Sequence, residues 1–162
     1  MILRNKALGE IQVDEQSILY LPDGLLGFED LKHYILVEVD DFAPFLWLLS
    51  VDEPEIGFAI ADPQLFYAPV YEVSLSESDK DVLDLQPGDT ISVFVIVSIA
   101  DGGRRITANL KGPVVLNARN RLAKQVVVYS PSYSVRQCPL ALVPEQIPLA
   151  GVTARSRASA RG

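Results

Sequence analysis

Residues 91–110, ISVFVIVSIADGGRRITANL, decide the fold. Ile91, Val93, Val95, Val97 and Ile99 recur with a period of two, the spacing that puts side chains on one face of a strand. Phe94 and Ile96 make the middle of the opposite face apolar as well, so this strand is expected to be buried on both sides at its centre. Asp101, Gly102 and Gly103 follow, and glycine supplies the positive φ that a tight hairpin demands. Beyond the turn, Ile106, Ala108 and Leu110 alternate with Arg105, Thr107 and Asn109. An antiparallel hairpin of residues 91–99 and 104–110 is the expectation.

Outward from that hairpin, strand-like runs fall at residues 2–8, 18–21, 34–39, 45–51, 57–61, 70–75, 114–117 and 125–129. Turn signals separate most of them: Pro22-Asp23-Gly24, residues 52–55, Asp62-Pro63 and Pro87-Gly88-Asp89. Short strands punctuated this way predict a mostly β protein, a small antiparallel β-barrel or barrel-like sandwich. One helix is expected at residues 76–85, where Ser76 and Asp79 have the spacing of a capping box and Pro87-Gly88 ends it. Residues 26–31 are expected to form a short helical turn. A chain of 162 residues suits one domain, placed at residues 1–149, which at this size buries roughly 70% of its unfolded surface. Residues 150–162, rich in Ser, Ala and Gly with Arg155, Arg157 and Arg161, are expected to form a flexible basic tail.

Charge is divided unevenly. Residues 1–81 hold 4 Lys/Arg against 17 Asp/Glu, a balance of −13, and residues 82–162 hold 10 against 4, a balance of +6. An acidic first half repels phosphates, so direct nucleic-acid binding is not expected, whereas a basic protein partner suits the same field. The apolar runs are shorter than the ~20 residues of a membrane span, and residues 1–10 lack the apolar core of a signal peptide, so a cytoplasmic protein is expected. One cysteine, Cys138, and one histidine, His33, supply neither a disulfide nor a protein-only zinc site of the usual kind. No nucleophile elbow or phosphate-cradling loop appears. Paired acids at Asp40/Asp41 and at Asp52, Glu53 and Glu55 read as solvated turns ahead of a two-carboxylate hydrolase site. No enzyme and no cofactor are expected.

Residues 107–129, TANLKGPVVLNARNRLAKQVVVY, join two β-rich runs through an asparagine- and arginine-rich loop. The asparagines suit bends, where their side chains hydrogen-bond nearby backbone, and they also suit a recognition surface. TANL, G-PVVLN and KQVV at this spacing resemble the FliW family of flagellar assembly factors. GLLGFEDLKHY at residues 24–34 carries that family's Gly-Phe-Glu signature at Gly27, Phe28 and Glu29. PFLWLLSVDEP at residues 44–54 is similar to the family's next block. The chain departs from the family at Gly112 and Val114, where Ala and Ile are usual.

The resemblance implies a cytoplasmic, non-enzymatic binding protein, monomeric when free, that binds flagellin and, once flagellin is exported, the translational repressor CsrA. Binding of CsrA would relieve repression of flagellin synthesis. A flagellin-holding chaperone without repressor control is the alternative, followed by a small-ligand or enzymatic β-barrel. Candidate partner-binding residues are Asn109, Asn117, Arg119, Asn120, Arg121 and Lys124 in the recognition stretch, with Phe45, Asp52 and Glu53 in the acidic block. Trp47 and most of the aromatic residues near it are expected in the core.

Overall fold

The computed structural model describes residues 1–140 and the backbone of Arg157–Ser159. Strands β1 (Ile2–Asn5) and β2 (Gly9–Gln12) form a hairpin of their own. The main sheet contains β3 (Leu19–Tyr20), β4 (His33–Glu38), β5 (Leu46–Ser50), β6 (Gly57–Ala61), β7 (Ile91–Ala100), β8 (Arg105–Ala108), β9 (Val114–Asn117), β10 (Ala123–Gln125) and β11 (Arg157–Ser159). Its order is β10-β9-β7-β6-β5-β4-β11, with β3 paired to β4 and β8 to β7. Helix α1 (Glu77–Val82) is the one α-helix among the described residues.

The β7–β8 hairpin forms as expected. Val97 lies opposite Ala108, Ile99 opposite Ile106 and Ala100 opposite Arg105. The turn takes three successive positive φ values, 54° at Asp101, 64° at Gly102 and 95° at Gly103, which explains the two glycines. β7 is long enough to serve three neighbours: residues 91–94 pair with β9, 95–97 with β6 and 97–100 with β8. Val95 and Val97 are buried in the main core while Phe94 and Ile96 are half-buried against a second one. The centre of the strand is therefore covered on both sides, fully on one and partly on the other.

The sheet curls without closing into a barrel. β3, on the outer edge of β4, meets the segment entering β10 at the far end of the sheet through one bridge between Tyr20 and Leu122. There the Tyr20 N–H donates to the Arg121 carbonyl at 3.0 Å. No ladder continues from that contact among the described residues, so the result is a barrel-like sheet with the β1–β2 hairpin laid over one face.

Three apolar clusters follow. Ile35, Val37, Leu49, Ala59, Val95 and Val97 face Leu3, Leu8 and Ile11 of the β1–β2 hairpin, with Phe42, Phe45 and Phe66 filling the space between. On the opposite face Tyr34, Leu36, Leu48 and Ile60 meet Leu19, Leu21 and Leu25. Leu83, at the end of α1, packs with Val115 and Val126 in a third. β5 is apolar on both sides because the domain itself covers both. Trp47 stacks on Phe42 with ring centroids 4.8 Å apart and planes 8° from parallel.

Several expectations need correction. The helix ends at Val82 instead of residue 85, because Asp84 takes a positive φ of 47° and the backbone turns away. Its capping box is present: Ser76 Oγ accepts from the Asp79 N–H at 3.0 Å, and Asp79 Oδ2 accepts from the Ser76 N–H at 3.0 Å. Residues 26–31 form turns, not helix. Residues 70–75 alternate like a strand yet pair with none. The Glu72 N–H goes to the Tyr133 hydroxyl at 2.8 Å and the Tyr71 hydroxyl donates to the Leu110 carbonyl, so side chains take the place of a ladder. The last expected strand, 125–129, lies two residues earlier, at Ala123–Gln125. Of the expected flexible tail, Arg157–Ser159 pair with β4, and the remaining residues from 150 to 162 lie outside the described ones.

Candidate functional site

The asparagine-rich stretch is built from the backbone outward. Asn117 ends β9, and the Asn117 backbone accepts from Arg121 N–H and donates to the Leu122 carbonyl, each at 2.9 Å, closing the loop 118–121. Its side chain is fully buried. Nδ2 donates to the Leu83 carbonyl at 2.9 Å and to Asp89 Oδ2 at 3.2 Å, and Oδ1 accepts from the Arg119 N–H at 3.2 Å. Asn120 Nδ2 donates to the same Leu83 carbonyl at 3.0 Å, and its Oδ1 accepts from Leu122 N–H. Arg121 holds φ at 61°, a left-handed conformation rare for a long side chain. Asn109 closes its own turn by accepting from the Lys111 N–H at 3.0 Å.

Two cations of this stretch, Arg119 and Lys124, are paired with carboxylates. Arg119 Nε lies 2.8 Å from Asp89 Oδ1, and its Nη2 donates to the Asp84 carbonyl at 2.7 Å. Lys124 Nζ sits 3.1 Å from Asp79 Oδ1 and 3.8 Å from Asp23 Oδ2. The loop is thereby fastened to α1 and the turn after it. The Arg119 guanidinium, with help from the Gln86 N–H and Asn117, holds the Asp89 carboxyl down at about 2. Because this folded value lies below that of an unfolded Asp, the unfolded chain takes up the proton first as pH falls. The stabilisation is complete above pH ~4 and disappears between about 4 and 2. Arg119→Met is accordingly expected to destabilise the protein at neutral pH and to lose that disadvantage progressively below pH 4. Urea unfolding measured at several pH values tests this; a difference independent of pH would show that packing, not the ion pair, dominates.

The acidic block divides. Asp52 is committed to its own domain: Oδ2 accepts from the Lys32 and His33 N–H groups at 2.8 and 3.0 Å, and Oδ1 lies 3.1 Å from the His33 ring. Burial works against its ionisation, but those donors outweigh it and lower its pKa. Burial, with the Asp52 charge added to it, pushes the Tyr34 phenol up to about 12. Glu53 is exposed on the β5–β6 turn. Phe45 is 2% exposed and belongs to the core, where it offers no surface. Asp40 and Asp41 lie past the far end of β4, away from the Lys32 and His33 backbone that holds Asp52.

Two side chains tie the motif blocks together. Asp52 links residues 44–54 to the backbone of residues 24–34. Gln125, which the sequence reading passed over, links residues 24–34 to 107–129: its Oε1 accepts from the Leu26 N–H at 2.9 Å and its Nε2 donates to the Gly112 carbonyl at 3.0 Å. A Cβ on residue 112 would stand 2.8 Å from that Nε2, so the glycine here makes room for the link. The Gly-Phe-Glu turn sits between these anchors, with Gly27 N–H donating to Glu29 Oε2 at 3.0 Å and Phe28 edge-on to Phe58 at 5.1 Å. Leu26 at its tip is 82% exposed and Phe28 37%. Exposed apolar groups on a braced loop are what protein recognition uses as anchors. No group of three or more His, Cys, Asp or Glu side chains suited to a metal occurs among the described residues.

A curled antiparallel sheet whose polar clusters brace loops, and which leaves Leu26 exposed at the tip of such a loop, is the kind of β-scaffold that suits protein recognition. Comparison with known proteins gives the family. The family model for FliW protein matches residues 2–139. The flagellar assembly factor FliW of Bdellovibrio bacteriovorus is 36% identical over 137 residues, covering 85% of this chain and 78% of the relative. That of Geobacter sulfurreducens is 38% identical over 128 residues, 79% of each. A crystal structure of the flagellar assembly factor FliW superposes with a TM-score of 0.77 at 30% identity, covering 85% of this chain and 96% of that one. The chain belongs to the FliW family.

Proposed function

We propose that this protein acts in the cytoplasm as a non-enzymatic switch of flagellar assembly, binding flagellin and, when flagellin is scarce, the translational repressor CsrA. The observation that carries the reading is the family match across residues 2–139, nearly all of the described fold. Two features support it. The acidic first half suits a basic partner and opposes RNA near the docked repressor, an effect that weakens with salt. The brace of Asp52 and Gln125 fixes the backbone of residues 24–34 with Leu26 exposed at its tip, so that little conformational freedom is lost on docking. Glu53, Arg121 and the Gly-Phe-Glu turn are the contacts to vary, since Asn117, Arg119, Asn120 and Lys124 are occupied in holding the loop.

Isothermal titration with CsrA from the same organism, repeated with flagellin already bound, tests the switch. The expected result is CsrA binding that flagellin abolishes. Binding to flagellin alone would leave a holding chaperone, and binding to neither would sink both readings.

A further inference from the structure

The outer edge of β4 is half used by the fold and half by a segment far away in sequence. β5 covers one side of β4 along residues 34–37. On the other side β3 pairs only with His33 and Tyr34, and Leu36–Glu38 pair with β11. Val37 has Trp47 as its partner on one side and Ala158 on the other. The Lys32 carbonyl accepts from Leu21 N–H, toward β3, and the His33 carbonyl accepts from Val51 N–H, toward β5. Strand backbones alternate, so the polar groups of Leu36 and Glu38 point to the β11 side. Without β11 they form a short open edge, the kind of template to which extended peptides add.

The resident strand also states what such an edge selects. Residues 153–161 read TARSRASAR, small residues alternating with arginines and serines, with no apolar side chain larger than alanine. Nothing of this strand's character requires a pocket; backbone pairing and charge are what it offers. The backbone register puts residue 157, an arginine in the sequence, opposite Glu38. Asp40 and Asp41 follow within three residues of Glu38 and are exposed. An acidic strand end is thus matched by a basic strand from the part of the chain with a net positive balance.

We propose that Leu36–Glu38 of β4 form a strand-addition site for an extended, basic, small-residue segment of a partner protein, and that Arg157–Ser159 are its built-in competitor. In the free protein the chain's own segment closes the edge, blocking sheet-to-sheet association, and a partner gains the site only by displacing it. The site is separate from the Gly-Phe-Glu turn and from the identity of the partners proposed above, so either reading survives failure of the other.

The test uses the full chain with Arg157→Pro and Ser159→Pro together, which removes the two backbone donors facing β4. Amide hydrogen exchange at Leu36 and Glu38 is expected to accelerate by about tenfold or more, while Ile35 and Val37, bonded toward β5, keep their protection. A synthetic peptide of residues 153–161 is then expected to restore protection at Leu36 and Glu38, to bind the double-proline chain at least about tenfold more tightly than the unaltered one, and to weaken as salt rises. The same peptide with Arg157→Glu should bind more weakly. Unchanged exchange at Leu36 and Glu38, or a peptide that fails to restore it, would overturn the proposal. Acceleration shared equally by Ile35 and Val37 would overturn it too, because the prolines would then be acting on the whole sheet.

Discussion

Gly24→Ala is expected to destabilise the protein by about 3 kcal/mol or more, whereas Gly27→Ala, three residues away in the same turn, should cost only about 1 kcal/mol. Both glycines hold positive φ, 65° and 87°. They differ in what surrounds them. A Cβ on residue 24 would lie 2.7 Å from Glu29 Cα, 2.7 Å from Glu29 O and 2.8 Å from Phe28 O. All three are backbone atoms and cannot swing aside as a side-chain end does. At residue 27 a Cβ would meet nothing within 4 Å, leaving only the conformational penalty of the left-handed region. For a chain of this size each kcal/mol moves Tm by ~2–4 °C, so Gly24→Ala should fall by roughly 6–12 °C and Gly27→Ala by roughly 2–4 °C. Thermal unfolding of the two variants decides the matter. Equal losses would mean that φ alone governs the turn and that its close packing on residues 28–29 carries no energy. The consequence for function is specific, because the turn presents Leu26 and Phe28. Gly27→Ala should leave a folded protein in which only the presentation is altered, the better variant for probing partner binding.

Where local pattern and tertiary pairing agreed, the sequence was a sufficient guide. Gly57–Ala61 and Val114–Asn117 form strands with the expected bounds, because each is a compact apolar run bounded by turn chemistry. The β7–β8 hairpin was legible for the same reason. Residues 70–75 show the opposite case: the alternation is real, and Val73 and Leu75 do pack inward, but a tyrosine hydroxyl captured the backbone donor a ladder would have used. β2 escaped notice because Gly9–Gln12 contains one apolar residue, Ile11, and owes its pairing to β1. Past Gln125 the chain keeps backbone bonds to Pro113 and Lys111, which is why its strand periodicity continues to Tyr129 after the strand has ended. The candidate site was less legible. Asparagine and arginine in a loop advertise hydrogen bonding without saying toward what, and here Arg119, Lys124, Asn117 and Asn120 face Asp89, Asp79 and Leu83 of the segment before β7. Gln125, although part of the KQVV motif, carried no signal of a tertiary link, since one glutamine in an apolar strand looks like a solvent-facing position. Only the fold brings Leu26 and Gly112 to either end of its amide.

Asn117→Leu is the substitution that separates the two meanings of the asparagine-rich loop, and it is expected to cost about 3 kcal/mol, a Tm loss of roughly 6–12 °C. Leucine is close in size, so little cavity forms; the loss comes from polar groups. The Asp89 carboxylate, whose side chain is 7% exposed, loses an amide donor at 3.2 Å, and the Arg119 N–H loses its acceptor. The Leu83 carbonyl keeps only the amide of Asn120. A hydrogen bond to a charged, largely buried group is worth about 1.5–3 kcal/mol, and a stranded donor adds about 1–3 kcal/mol when water cannot reach it. Partial access of water to the loop offsets some of this, which places the expectation near the middle of the combined range. Asn109→Ala, by contrast, removes a single contact within its own turn and should cost about 1 kcal/mol or less. If the stretch served recognition through its asparagines directly, Asn117→Leu would abolish partner binding in protein that is still folded. With the side chain fully buried, the geometry demands another outcome: at a temperature well below its lowered Tm, the variant retains whatever affinity the unaltered chain has for the partners proposed above, and the whole effect appears in urea or thermal unfolding. Lost affinity with unchanged stability would reverse that assignment and make the loop, not the Gly-Phe-Glu turn, the first surface to map.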